Sequence, residues 1–247
     1  SLSTYRSQRR GGRGVQGASS REEDFVEHLF VANTHSYILF FTDKGKCYWV
    51  KVYDIPEGGR AAKGRAIVNL IGCEPDEKVS AFISVKEFNE DHYVVMATEK
   101  GMVKKTKLSA YSNPRKKGIY AVEIRDGDKL IEARVSTGDN DILLGTRNGK
   151  SIRFSEEQIR ASGRKTMGVK GITLSSEDDR LVGMLLIKRE GTVLVATEKG
   201  FGKRTEISQY RAQKRGGKGV LTMKTTDKVG KMVTIKEVVD KDDLMII

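Results

Sequence analysis

Four times along this chain an apolar, β-rich run ends in threonine, two polar residues and glycine: YILFFTDKG (37–45), YVVMATEKG (93–101), DILLGTRNG (141–149) and TVLVATEKG (192–200). Thr42, Thr98, Thr146 and Thr197 each precede Gly45, Gly101, Gly149 and Gly200 by three residues, and the glycines are 56, 48 and 51 residues apart. Self-similarity at this period points to stacked supersecondary units, because one small sheet leaves an apolar face bare until a neighbour covers it. Two unrelated β-domains would not repeat the same punctuation four times.

Each unit reads as four short strands. The apolar run is the first, and the polar pair with Gly closes a tight hairpin. The second strand is rich in Lys and Arg, as in VKKTK (103–107) and SIRF (151–154). A Gly-bearing loop follows (GGRAAKG, 58–64; NPRKKG, 113–118). Third and fourth strands then flank an acidic turn in AVEIRDGDKLIEARV (121–135) and ITLSSEDDRLVGMLLI (172–187). Long helical periodicity is absent, and only SEEQIRAS (155–162) suggests a turn or two of helix. The fold class is therefore all-β and propeller-like, built from four-stranded blades of about 50 residues per repeat. The repeats fall at 37–92, 93–140, 141–191 and 192–243, after a partial first blade at 1–36. LMII (244–247) reads as the opening strand of a last blade.

Residues 2–14, LSTYRSQRRGGRG, align without gaps to residues 207–219, ISQYRAQKRGGKG, with eight of thirteen positions identical. The chain thus enters midway through a blade. Within that stretch, Gln8-Arg9-Arg10-Gly11-Gly12-Arg13-Gly14 combines glycines that admit positive φ with arginines whose forked donors match phosphate oxygens. No acidic side chain follows until Glu22. A loose Arg-Gly tail has the same composition. The copy at Gln213 to Gly219, set between strands of a regular repeat, argues for an ordered loop instead.

The charge balance is 45 Lys+Arg against 33 Asp+Glu, a formal +12, which points to a polyanionic partner, nucleic acid ahead of an anionic membrane. No apolar run is long enough to span a bilayer, and the polar, basic opening is no signal peptide. Cys47 and Cys73 form no C-x-x-C pair and read as reduced thiols of a cytoplasmic protein. His28, His35 and His92 lack partners at metal-ligand spacing. No P-loop is present, so no nucleotide cofactor is expected in this domain. Tyr5, Tyr111 and Tyr210 recur at one repeat position, which marks loop anchors and not a nucleophile. Trp49 reads as a residue that buries area. The acidic turns (Glu22, Glu23, Asp24; Glu74, Asp76, Glu77; Glu177, Asp178, Asp179) read as solvated and not as Mg²⁺ sites.

QRRGGRG resembles the signature box of the C-terminal domain of bacterial DNA gyrase A, part of a type IIA topoisomerase, usually written Gln-Arg-Arg-Gly-Gly-Lys-Gly; Arg13 stands in place of the Lys. Leu-Ser-x-Tyr-Arg before the box and the Thr-x-x-Gly series after it extend the resemblance over the whole chain. The resemblance implies a six-bladed β-pinwheel whose blades interlock by exchanging strands and whose outer rim wraps duplex DNA. It implies partnership with gyrase B in an A2B2 holoenzyme through other domains, with ATP and Mg²⁺ used elsewhere in that assembly. The isolated domain is expected to be monomeric. The wrap would direct strand passage toward negative supercoiling.

On that reading the basic residues form a DNA-binding rim. Besides Gln8 to Gly14 it takes in Lys44, Lys46 and Lys51; Lys100, Lys104, Lys105 and Lys107; Lys150 and Arg153; Lys199, Lys203 and Arg204. The loops add Arg60, Lys63 and Arg65; Arg115, Lys116 and Lys117; Arg164, Lys165 and Lys170; Lys214, Arg215 and Lys218. Two other readings stand beside it. One is the equivalent domain of topoisomerase IV, whose box is usually not intact. The other is a propeller scaffold whose basic rim binds acidic proteins.

Overall fold

A computed structural model describes residues 32–58, 66–188 and 190–242. The box at Gln8 to Gly14, Tyr5, Glu22 to Asp24, Arg60, Lys63, Arg65 and the run LMII lie outside the described residues.

Every Thr-x-x-Gly segment is a hairpin. β1 (Tyr37–Thr42) turns into β2 (Lys46–Lys51), β4 (Tyr93–Thr98) into β5 (Met102–Lys107), β8 (Asp141–Thr146) into β9 (Lys150–Ser155), and β12 (Thr192–Thr197) into β13 (Gly202–Glu206). The motif closes itself. The N–H groups of Gly45, Gly101, Gly149 and Gly200 donate to the carbonyls of Thr42, Thr98, Thr146 and Thr197 at 2.9–3.0 Å. In the first three units the threonine hydroxyl also accepts the N–H of the first residue after the Gly, at 3.2–3.3 Å. The four glycines have φ between 77° and 83°, the left-handed region that side chains resist.

The other edge of each first strand takes a seven-residue strand from the same repeat: β3 (Val79–Val85) on β1, β7 (Leu130–Ser136) on β4, β11 (Leu181–Ile187) on β8 and β15 (Met232–Val238) on β12. Each of these pairings slips register at the Thr, so that Ser80, Ile131, Val182 and Val233 are bulged. The four long strands touch in series, β3 on β7, β7 on β11 and β11 on β15.

The fourth strand comes from the following repeat. β6 (Ile119–Tyr120) pairs with β2, β10 (Val169–Lys170) with β5, and β14 (Val220–Leu221) with β9. The repeats at 93–140, 141–191 and 192–243 thus each hold four strands, as read from the sequence, but the third is only two residues long and pairs with the sheet of the preceding repeat. The runs expected as third strands, 121–124 and 172–174, are irregular. They lie across the neighbouring hairpin, where Ala121 and Val122 both donate to the Gly45 carbonyl and Gly171 and Ile172 to that of Gly101. SEEQIRAS forms only a 3-10 turn at Glu156–Gln158, capped by Ser155. Among the described residues the sheet of β13, β12 and β15 has three strands.

Alternate residues of each first strand feed the clusters on either side of it. Leu39 and Phe41 pack with Val94 and Met96, Val95 and Ala97 with Ile142 and Leu144, and Leu143 with Val193 and Val195. Sheets covered on both faces read as continuous apolar runs. Tyr111 is fully buried, edge-on to Phe41 at 5.9 Å, and Tyr210 is 3% exposed, so both recurring tyrosines are loop anchors. Trp49 packs edge-on to Tyr37 at 4.8 Å. Cys47 is buried, which pushes its thiol pKa up, and Cys73 is half-buried; neither is in a disulfide.

Candidate nucleic-acid interface

The basic residues sort into three groups by what their side chains touch. At the hairpin tips, Lys44 pairs with Asp76, while Lys100 donates to the Asp126 carbonyl at 3.3 Å and Lys199 to that of Asp227. These lysines therefore close the acidic turn of their own repeat. The turns themselves are less solvated than expected. Glu77 is 5% exposed and accepts the Tyr48 hydroxyl at 2.8 Å, and Asp179 is 4% exposed and accepts the Asn148 N–H at 2.9 Å.

On the second strands, charge is used inside the protein. Lys104 is 1% exposed, and its ammonium donates to the carbonyls of Ala121 and Arg164. Burial, with the nearby Arg164 cation, lowers its pKa to about 7. Lys105 is 7% exposed, 3.5 Å from the carboxylate of Glu156 and 5.0 Å from the Tyr93 ring centroid. Glu156 is itself fully buried and accepts the Ser136 hydroxyl at 2.6 Å. Arg153 pairs with Asp141 at 2.7 Å and donates to the carbonyls of Ile207 and Tyr210. Lys46 pairs with Glu77 at 2.8 Å; that hydrogen bond raises its pKa. Lys104 and Lys105 are thus corrected out of the rim, because a phosphate cannot reach a side chain enclosed by two repeats. The chain tolerates these buried cations where a carboxylate or carbonyls receive them.

Lys107 and Arg204 lie at the surface, in ion pairs with Glu90 and Asp240 at 3.1 and 2.8 Å. Such exposed pairs are worth little and leave both cations free to exchange partners. Lys51 lies 5.3 Å from the Tyr53 ring centroid, Lys150 is half-buried at the start of β9, and Lys203 donates to the Thr222 carbonyl at 3.4 Å.

The loops before the short strands differ. Arg115, Lys116 and Lys117 precede β6, Lys165 and Lys170 lie before and in β10, and Lys214 and Lys218 precede β14; these cations are exposed or half-buried and in no ion pair among the described residues. These loops occupy one place in successive repeats, so the fold lines up their charge. Arg164 and Arg215 are half-buried and engaged, Arg164 on the Tyr120 carbonyl at 3.1 Å and Arg215 on those of Gln158 and Lys170.

Sequence reasoning missed Arg160, which lines an open cleft of about 650 Å³ together with Lys165, Ser162 and Thr166. It sat in the stretch read as helix. It also missed Gln158, whose amide oxygen accepts the Arg215 N–H at 2.9 Å and whose amide nitrogen donates to the Gln213 carbonyl at 3.2 Å. No signal in one sequence marks such a partner.

Comparison with known proteins agrees with this architecture. The family described as DNA gyrase C-terminal domain, beta-propeller, matches residues 1–33, 36–86, 92–137, 140–188 and 191–238. The chain is similar to DNA gyrase A of Clostridium acetobutylicum, 51% identical over 244 residues, which is 99% of this chain and 29% of that relative. It is 44% identical to DNA gyrase A of Salmonella typhimurium over 246 residues, 100% of this chain and 28% of that one. The chain thus spans under a third of the length of these curated relatives. Among solved structures, the C-terminal domain of DNA topoisomerase IV superposes with a TM-score of 0.75 at 27% identity, covering 84% of this chain and 65% of that one. A DNA gyrase A C-terminal domain gives the same TM-score at 23% identity, covering 92% and 76%, a likeness of fold.

Proposed function

This chain belongs to the C-terminal β-propeller family of DNA gyrase A, and from that premise we propose that it binds duplex DNA along its exposed loops and wraps it. The observation that carries the reading is the recurrence of exposed cations, in no ion pair among the described residues, in or just before three successive short strands: Arg115 to Lys117, Lys165 with Lys170, and Lys214 with Lys218. Bending roughly 40 bp smoothly through half a turn costs on the order of 10 kcal/mol. One loop cannot offset that, whereas a series of loops neutralising several phosphates can. Such contacts meet the backbone and not the base edges, so little sequence preference is expected.

In the whole enzyme this wrap presents a crossing segment to the cleavage gate. With gyrase B hydrolysing ATP, it directs strand passage toward negative supercoils in the bacterial cytoplasm. Six blades complete the ring on this reading, and Gln8 to Gly14 closes the wrap. The intact box favours gyrase over topoisomerase IV. The test is duplex affinity across a salt series. A steep linear fall of log K with log salt is expected; weak, salt-insensitive binding would favour the scaffold for acidic proteins.

A further inference from the structure

Two loops dock on the repeat before them in one recurring way. Arg164 and Arg215 each stand four residues before the glycine that leads into a short strand, Gly168 and Gly219. Arg164 donates through Nη1 to the Tyr120 carbonyl and Arg215 through Nη1 to the Lys170 carbonyl, both over 3.1 Å. Tyr120 and Lys170 are the second residues of β6 and β10, the short strands of the preceding repeats. The backbone repeats the pattern, since the Glu123 N–H donates to the Thr166 carbonyl at 3.1 Å and the Thr173 N–H to that of Gly217 at 2.9 Å.

Arg215 is held further. Its Nε donates to the Gln158 carbonyl at 3.0 Å and its N–H to Gln158 Oε1. Two edges of the guanidinium fork are thus committed to main-chain oxygens. An ammonium, a single point of charge on a flexible stem, does not span both. In the same loop the side chains of Lys214 and Lys218 make no hydrogen bond or ion pair among the described residues.

We propose that Arg215 is a positioning residue of the DNA interface: it pins the Gln213–Gly219 loop to the preceding repeat so that Lys214 and Lys218 meet the phosphate backbone, and it does not itself touch DNA. This rests on the DNA-binding reading above. Binding of the full chain to a duplex of about 40 bp across a salt series tests it, with thermal unfolding measured alongside. The K214A/K218A pair lowers the salt slope by about 1.8, two phosphate contacts at ~0.9 each, and leaves the unfolding temperature in place. Arg215→Lys keeps the charge yet weakens binding several-fold, and Gln158→Ala does the same without touching a charge. Added to K214A/K218A, Arg215→Lys costs no further affinity, because its effect acts through those two lysines. Parental affinity in Arg215→Lys, or losses that add with those of K214A/K218A, would overturn the assignment. A parent chain with no salt-dependent binding would instead remove the DNA-binding reading beneath it.

Discussion

A Cβ placed on Gly149 would lie 2.0 Å from the carbonyl oxygen of Met223, a residue of the following repeat. The same holds at Gly45, where the Val122 carbonyl lies 2.3 Å away. In these two units the glycine of Thr-x-x-Gly therefore serves the hairpin and the exchange of strands together: it takes positive φ and lets the next repeat cross at van der Waals contact.

Gly149→Ala and Gly200→Ala separate these two roles. Both carry the strain of positive φ, about 1–2 kcal/mol. Gly200 has φ of 77° with nothing within 4 Å of its Cβ in the described structure. Urea denaturation should show Gly149→Ala losing clearly more stability than Gly200→Ala. Equal losses would mean that the crossing carbonyl yields freely.

Lys104 gives the fold a pH dependence. Its pKa is about 7 in the folded chain, because burial disfavours the ammonium, against about 10.4 when unfolded. Between these values the unfolded chain binds more protons, so the contribution of this group to stability rises with pH from about 7 to about 10 and is flat below. Lys104→Met should remove that rise from the unfolding temperature and leave the salt slope of DNA binding unchanged. A phosphate contact at Lys104 would lower the slope by about 0.9.

Glu156 and Lys105 form a buried pair across two repeats. Glu156→Ala leaves an ammonium unpaired in the interior, a loss of about 3–5 kcal/mol. Adding Lys105→Met should recover part of it, which chemical denaturation of the single and double variants would show. A double variant no more stable than Glu156→Ala would mean that the ammonium is not the source of the loss.

The gapless register sets Arg10 where Arg215 stands, and Arg9 and Arg13 where Lys214 and Lys218 stand. Supercoiling by the whole enzyme should therefore fall with Arg9→Ala/Arg13→Ala, and charge alone at position 10 should not suffice. In supercoiling assays, Arg10→Lys with full activity would show that the register does not carry over to function.

The hairpins and the repeat were legible because Thr-x-x-Gly states its own geometry in four residues. The strand exchange came only with the resemblance and not from the residue pattern, since β6, β10 and β14 are two residues long and a period of two cannot show in two residues. Nor were the buried lysines. VKKTK reads as a solvated strand, yet Lys104 occupies the place held by Tyr48 in β2 and Ile152 in β9, an interior position. With both faces of each blade covered, alternation stops telling inside from outside. The loop cations were legible as charge, but Arg164 and Arg215 were grouped with them because type and spacing do not reveal a carbonyl partner.

Closing a nicked circle with ligase in the presence of increasing amounts of the chain, then counting supercoils after deproteinisation, measures the wrap directly. If the chain wraps DNA, positive supercoils appear and grow in number with the protein added. Topology unchanged at saturating binding would mean that the chain binds DNA without wrapping it.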